Sequence, residues 1–168
     1  MSGPAVAPFP APHCRVGVGG VLLRNGRALV NRAVYRQRFT IPSGYVERGE
    51  GLEAALVREF EEETGVVVRV GRLLLTRHKV VGAEESDVYF AFALEHLSGE
   101  PVARPPEIGE VREVDLAEVD GATWISELSR LAIRLAARPT GGWPRSEWKG
   151  GEVPGLGVEA YYSPMGSG

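Results

Sequence analysis

The chain has 168 residues, of which 43% are hydrophobic and 24% charged, and carries a net charge of −3 at neutral pH. That length suits one domain with a real core and is short for two, and the mild negative balance argues against a surface that coats nucleic acid. Cys14 is the only cysteine, which leaves no internal disulfide and no basis for a cysteine metal site, in keeping with a reducing, cytoplasmic setting.

Residues 1–13 lack the basic region and continuous apolar run of a secretory signal and read as a flexible arm; no later run is long enough to span a bilayer. The domain is expected over residues 14–139. Arg15 to Leu23 has strand composition, Asn25-Gly26 supplies a hairpin turn, and Ala28-Leu29-Val30 starts the returning strand. A basic loop follows, in which Arg32, Arg36 and Arg38 could together meet a polyphosphate. Any one of them alone is as readily an ordinary surface arginine.

Gly44 to Val66 is the stretch that carries chemistry. Gly44, Gly49 and Gly51 permit a tight backbone, Leu52 to Thr64 has few helix breakers, and Gly65 is a natural stop. On that helix Glu59, Glu62 and Glu63 stand three and four residues apart and project from one face, beside an apolar flank of Leu56, Val57 and Phe60. Like charges at 4 Å oppose each other by about 1 kcal/mol in water and about 4 kcal/mol at an effective dielectric near 20. A hard divalent cation such as Mg²⁺, which prefers carboxylate and carbonyl oxygens and substrate phosphates, would reverse that sign. Arg58 is placed to pair with Glu50 and fix the loop against the helix.

Beyond the helix, Val66 to Val70, Leu73 to Leu75 and Val88 to Leu94 are strand-like. The segment between the last two is expected to form a substrate edge, with Arg77, His78 and Lys79 as phosphate contacts and Tyr89 as a base-stacking candidate. The plain alternatives are solvated charges and a core aromatic. Ser98 to Pro101 reads as a turn, Arg104-Pro105-Pro106 as a rigid approach, and Glu107 to Leu116 as the next element. A last helix opening at Asp120 or Thr123, with Ile125, Leu128, Leu131, Ile133 and Leu135 mostly on one side, is expected to cover the sheet and end at Arg138-Pro139. Residues 140–168 form a Gly/Pro-rich tail that holds Trp143, Trp148, Tyr161 and Tyr162. So many aromatics point to a tail docked on its own domain or across a homodimer.

The order Gly44, five residues, Glu50, seven residues, then Arg58-Glu59-Phe60-Glu61-Glu62-Glu63-Thr64-Gly65-Val66 resembles the signature of the Nudix hydrolases at each fixed identity and both hydrophobic positions. The resemblance implies an α/β (α+β) fold, a mixed β-sheet sandwiched between helices. It also implies Mg²⁺- or Mn²⁺-dependent hydrolysis of a nucleoside diphosphate linked to another moiety X, a small-molecule nucleotide-type pyrophosphate. By matching position, Glu59, Glu62 and Glu63 with the Gly44 carbonyl are the expected metal set, and Arg58 with Glu50 the supporting pair. The family also implies a further functional glutamate downstream, for which Glu110 fits best and Glu107 next; either Glu62 or that residue would accept the proton from water. Ser43 stands where many members have the first glycine of Pro-Gly-Gly, and a positive φ there would strain it.

The substrate X stays open. About sixteen residues beyond the box, where the ADP-ribose type tends to carry proline, this chain has Gly82, and Val81 to Glu84 lacks the tyrosine of the diadenosine-polyphosphate type. Nucleoside triphosphates, nucleotide sugars, ADP-ribose and coenzyme A derivatives all remain. Two rivals share the fold: a non-catalytic nucleotide-binding or regulatory module, which usually shows a damaged box or an added DNA-binding domain, and an isoprenoid-diphosphate isomerase, which needs a catalytic thiol that Cys14, far from the box, does not supply.

Overall fold

The structure is a computed structural model that describes residues 13–81 and 85–138, together with the short strands at 146–147 and 160–162. β1 (His13–Arg24) and β2 (Arg27–Ala33) form the hairpin expected from Asn25-Gly26. Asn25 at φ 52° and Gly26 at φ 76° supply the two left-handed positions that a tight antiparallel turn requires. β3 (Ser43–Tyr45) pairs with β1 and leads into α1 (Leu52–Thr64). β4 (Val67–Val81) and β5 (Glu85–Ser98) are long antiparallel partners, and β6 (Ile108–Asp115) returns to the free edge of β2. α2 (Glu127–Ala137) follows. β7 (Ser146–Glu147) pairs with β8 (Ala160–Tyr162), which in turn lies against β4 opposite Thr76, Arg77 and His78.

Strand order among the described residues is β6-β2-β1-β5-β4-β8-β7, with β3 also on β1. β1 and β5 run parallel from His13↔Glu85 to Leu22↔Leu94 while the other pairings are antiparallel, so the sheet is mixed. Side chains alternate across it. Val18 and Leu22 of β1 and Leu29 of β2 join Leu56 and Phe60 of α1 in one core, whereas Val21, Ala28 and Val30 join Ile133 and Leu135 of α2 in the other. The sheet is therefore held between the two helices, as expected. Among the described residues no helix is long and apolar enough to cross a membrane.

Packing holds α1 despite its charge. Leu56 and Phe60 are fully buried, each contributing about 1.5–3 kcal/mol, which exceeds the about 1 kcal/mol of a solvated carboxylate repulsion at 4 Å. Gly65 adopts φ 73° and donates its N–H to the Glu61 carbonyl at 2.8 Å, closing the helix where the sequence places its stop.

Three expectations are corrected. The last helix opens at neither Asp120 nor Thr123: residues 116–124 are turns, and Ser126 is the N-cap, its hydroxyl accepting from the Ser129 N–H. Ile125 lies ahead of that helix, fully buried and bridged to Phe39. Arg77, His78 and Lys79 are not in a connection but within β4, which runs unbroken through Leu73–Leu75 because bulges near Val70 and Leu73 absorb the irregular pattern. Ser43 carries no strain, since it sits in the extended backbone of β3 opposite Gly19, and Asn25 alone among described non-glycine residues has a positive φ. The arm up to residue 12, Gly82, Trp143 and Trp148 lie outside the described residues.

Candidate active site

α1 crosses the sheet end where β3 enters, and this sets the Gly44 backbone against Glu59. A Cβ built on Gly44 would fall 1.9 Å from the Glu59 carboxyl carbon. Only glycine lets backbone and carboxylate approach this closely. One turn further on, Glu63 accepts from the Ser43 N–H at 2.7 Å and from the Asn31 side-chain amide at 2.9 Å. Burial pushes the Glu63 carboxyl up to about 7 against the pull of those two donors, and the neighbouring Glu59 and Glu107 push it the same way. Glu59 is likewise raised, first by burial, with Arg58 opposing.

Arg58 is the hub of the loop. Its Nε and Nη2 each meet a Glu50 oxygen at 2.9 Å, Nη1 reaches Glu59 at 2.9 Å and Glu62 at 3.3 Å, and Nη2 also donates to the Tyr45 carbonyl at 3.2 Å. The fork grips Glu50 at both oxygens, which a lysine could not do. Hydrogen bonding from Arg58, and then from the Glu47 N–H, holds the Glu50 carboxyl down from 4.5 to about 2. A folded-state pKa below the unfolded one gives stability that is present above about pH 4.5 and lost as pH falls toward about 2. Glu50→Gln is thus expected to melt lower than the parent at neutral pH, with the gap closing through that acid window. Urea midpoints measured from pH 7 to pH 2 check it, and a gap that does not shrink with acid would contradict the assignment.

Glu59 and Glu63 open into a cavity of about 490 Å³ that Gly44, Glu47, Arg36, Arg77 and Tyr89 also line. Of the arginine loop, only Arg36 reaches this cavity. Arg32 pairs with Glu110 at 2.9 Å and stands over the Phe39 ring, and Arg38 is exposed. Arg77 pairs with the buried Asp87 and lies 5.3 Å over the ring of Tyr89. Burial raises the pKa of the Tyr89 hydroxyl, with the Ser43 side chain and Arg77 opposing. Gly19 leaves the room that hydroxyl needs, since a Cβ there would come within 1.7 Å of it.

Glu62 is turned elsewhere. Its side chain is 61% exposed, its partner is Arg58, and it lines a separate groove of about 940 Å³ on the other flank of α1 with Val57, Glu61, Arg69 and Arg104. That groove contains neither Glu59, Glu63 nor Gly44. Among the described residues no three His, Cys, Asp or Glu side chains stand ready around one point for a metal. Even so, the donor set fits a hard cation: two half-buried carboxylates with raised pKa values stand by the Gly44 backbone, all of them oxygen ligands, and Glu63 has only neutral donors as hydrogen-bond partners.

Glu110 does not line the cavity. Arg112 and Arg32 hold its carboxylate and lower its pKa, hydrogen bonding from Arg112 being the main cause. Glu107, the second choice in the sequence, lines the cavity, where its carbonyl accepts the Val34 N–H at 2.9 Å. The regular β2–β6 register sets Glu110 opposite Arg32, and the shift that follows, between Arg32 and Ala33, brings Ile108 opposite Ala33 with Glu107 just ahead of β6. Sequence reasoning missed Asn31, Asp87 and Tyr35. Asn31 and Asp87 are polar residues buried on strands, a signal present in the strand pattern but indistinct without the pairing, and Tyr35, 70% exposed, lines the cavity beside Arg36. Cys14 is exposed on β1 and not among the cavity residues, which removes the thiol an isomerase would need there.

The sequence model of the NUDIX domain matches residues 13–132. Nudix hydrolase 8 of Arabidopsis thaliana is 33% identical over 122 residues, covering 68% of this chain and 33% of its own length. The ADP-ribose pyrophosphatase of Methanocaldococcus jannaschii is 37% identical over 65 residues, 37% of this chain and 38% of that protein. Among solved structures, a MutT NUDIX hydrolase from Burkholderia pseudomallei superposes with a TM-score of 0.62 at 25% identity, covering 74% of this chain and 99% of that one. The chain spans between 33% and 51% of the length of the curated relatives it matches.

Proposed function

The chain belongs to the Nudix family, and from that premise we propose that it is a pyrophosphohydrolase, cleaving the diphosphate of a nucleoside diphosphate linked to a moiety X by attack of water. The observation that carries this is the meeting of Glu59, Glu63 and the Gly44 backbone at one wall of a cavity whose other walls hold Arg36 and Arg77. Carboxylates that repel each other and cations that attract phosphate within one cavity suit a substrate bringing both metal and pyrophosphate.

Glu59, Glu63 and the Gly44 carbonyl would hold Mg²⁺ or Mn²⁺. Glu62, on the other flank of α1 and paired with Arg58, would join that set only by releasing Arg58 and swinging toward Glu59. Such a cation supplies Lewis-acid stabilisation of phosphate charge and lowers the pKa of water. Arg58 and Glu50 position Glu59 and the loop. Arg36 and Arg77 neutralise phosphate oxygens, and Tyr35 and Tyr89 give X an aromatic wall. Glu107, on the cavity and near both α1 carboxylates, is the proposed proton acceptor at its carboxylate oxygen, in place of Glu110.

The test is phosphate release with product identification over nucleoside triphosphates, nucleotide sugars, ADP-ribose and coenzyme A derivatives, with Mg²⁺, Mn²⁺ or chelator. Metal-dependent cleavage between phosphates is expected for at least one class. Tight nucleotide binding without cleavage under any of these conditions would overturn the proposal in favour of a binding module. Glu107→Gln should lower kcat by about 10²–10⁴-fold with little change in KM, whereas Glu110→Gln should leave kcat within a few-fold of the parent.

A further inference from the structure

Glu63 has two carboxylate oxygens, and both of its donors fall on the same one. The Ser43 N–H at 2.7 Å and Asn31 Nδ2 at 2.9 Å both reach Oε2, and among the described residues no donor meets Oε1. A carboxylate offers about two acceptor sites per oxygen, so Oε2 is saturated and Oε1 keeps its lone pairs for another ligand. Asn31 is 1% exposed, so its side chain has no solvent to turn into, and its backbone N–H and carbonyl both bridge to Thr40, at 2.9 and 2.8 Å, which fixes the strand it stands on. Its amide has a fixed sense as well. Thr40 Oγ1 donates to Asn31 Oδ1 at 3.4 Å, and a flipped amide would set Oδ1 against the Glu63 carboxylate, acceptor facing acceptor.

We propose that Asn31, oriented by Thr40, is a positioning residue that determines which oxygen of Glu63 faces the cation. The inference rests on the reading of Glu63 as a cation ligand. Carboxylates that bind metals need partners that orient them, and removing such a partner typically weakens metal binding about 10–100-fold. In this chain the partner is a neutral amide from a neighbouring strand, which orients Glu63 without the charge that an arginine or lysine would set against the cation.

The experiment measures Mn²⁺ affinity by electron paramagnetic resonance, together with the metal dependence of turnover, for the full chain and for Asn31→Leu, Thr40→Val and Glu63→Gln. Asn31→Leu should raise the Mn²⁺ Kd about 10–100-fold and recover much of its turnover at saturating metal, a split that general destabilisation would not produce. Thr40→Val, which keeps the backbone bridge, should raise the Kd about 2- to 10-fold. If the parent binds Mn²⁺ and Glu63→Gln does not, yet folded Asn31→Leu binds like the parent, the inference fails while the metal site stands. Should Asn31→Leu not fold, Thr40→Val decides, and an unchanged Kd in that variant overturns the inference. A parent that binds no Mn²⁺ overturns the metal reading of Glu63 and this inference with it.

Discussion

Glu63→Gln is expected to lower metal-dependent turnover by at least about 100-fold, more than the about 10–100-fold usual for residues that only support a ligand, while the metal-free protein stays folded. Glutamine has the shape of glutamate, and its carbonyl can accept from both Ser43 N–H and Asn31 Nδ2, so the bonds that seat this part of α1 survive. Its NH₂ then lies where Oε1 was, presenting a donor to a cation that needs an acceptor. Removing a half-buried carboxylate also lifts a desolvation cost, so the metal-free variant should melt no lower than the parent. Turnover and thermal melting measured on the same preparations separate the two effects. Full metal-dependent turnover in Glu63→Gln would remove this residue from the metal set.

The second large effect is expected at Gly44→Ala. The added methyl would land 1.9 Å from the Glu59 carboxyl carbon, well inside contact distance, so either the carboxylate or β3 has to move. Glu59 is pinned by Arg58 at 2.9 Å, and β3 is pinned by its pairing with β1 at Gly17, Val18 and Gly19. The atoms in the way are the end of a flexible side chain on the cavity wall, so the fold gives way by moving the Glu59 carboxylate off Arg58. The cost lies toward the low end of the about 1–3 kcal/mol of overpacking. Displacing Glu59 should lower turnover by about 100-fold or more, since the shift acts on a ligand rather than on its support. A double-mutant cycle with Glu59→Ala tests the cause. If the clash with Glu59 is responsible, adding Gly44→Ala to Glu59→Ala should cost little further activity, and full additivity would show that the methyl acts on something else.

The chemistry along α1 was legible because it is local. Leu52–Thr64, the Gly65 stop, the Arg58–Glu50 pair and the Leu56–Phe60 flank all follow from spacings of a few residues, where the helix period leaves little choice. The same holds for the Asn25-Gly26 turn. The start of α2 was less legible, since Asp120, Thr123 and Ser126 are all competent N-caps and the burial of Ile125 against Phe39 selects among them.

Sequence alone thus determined the family, the carboxylate-bearing helix and its charged and apolar flanks, for these depend on one short segment. Tertiary structure decided what that helix faces. Glu63 is oriented by Asn31, 32 positions earlier, and Arg77 by Asp87 across a strand pair. Glu107, just ahead of β6, lines the cavity, whereas Glu110, paired opposite Arg32 on β2, does not. Strand register is a long-range property, and a slip of one residue moves a side chain to the opposite face of the sheet, so no local spacing could have distinguished these partners.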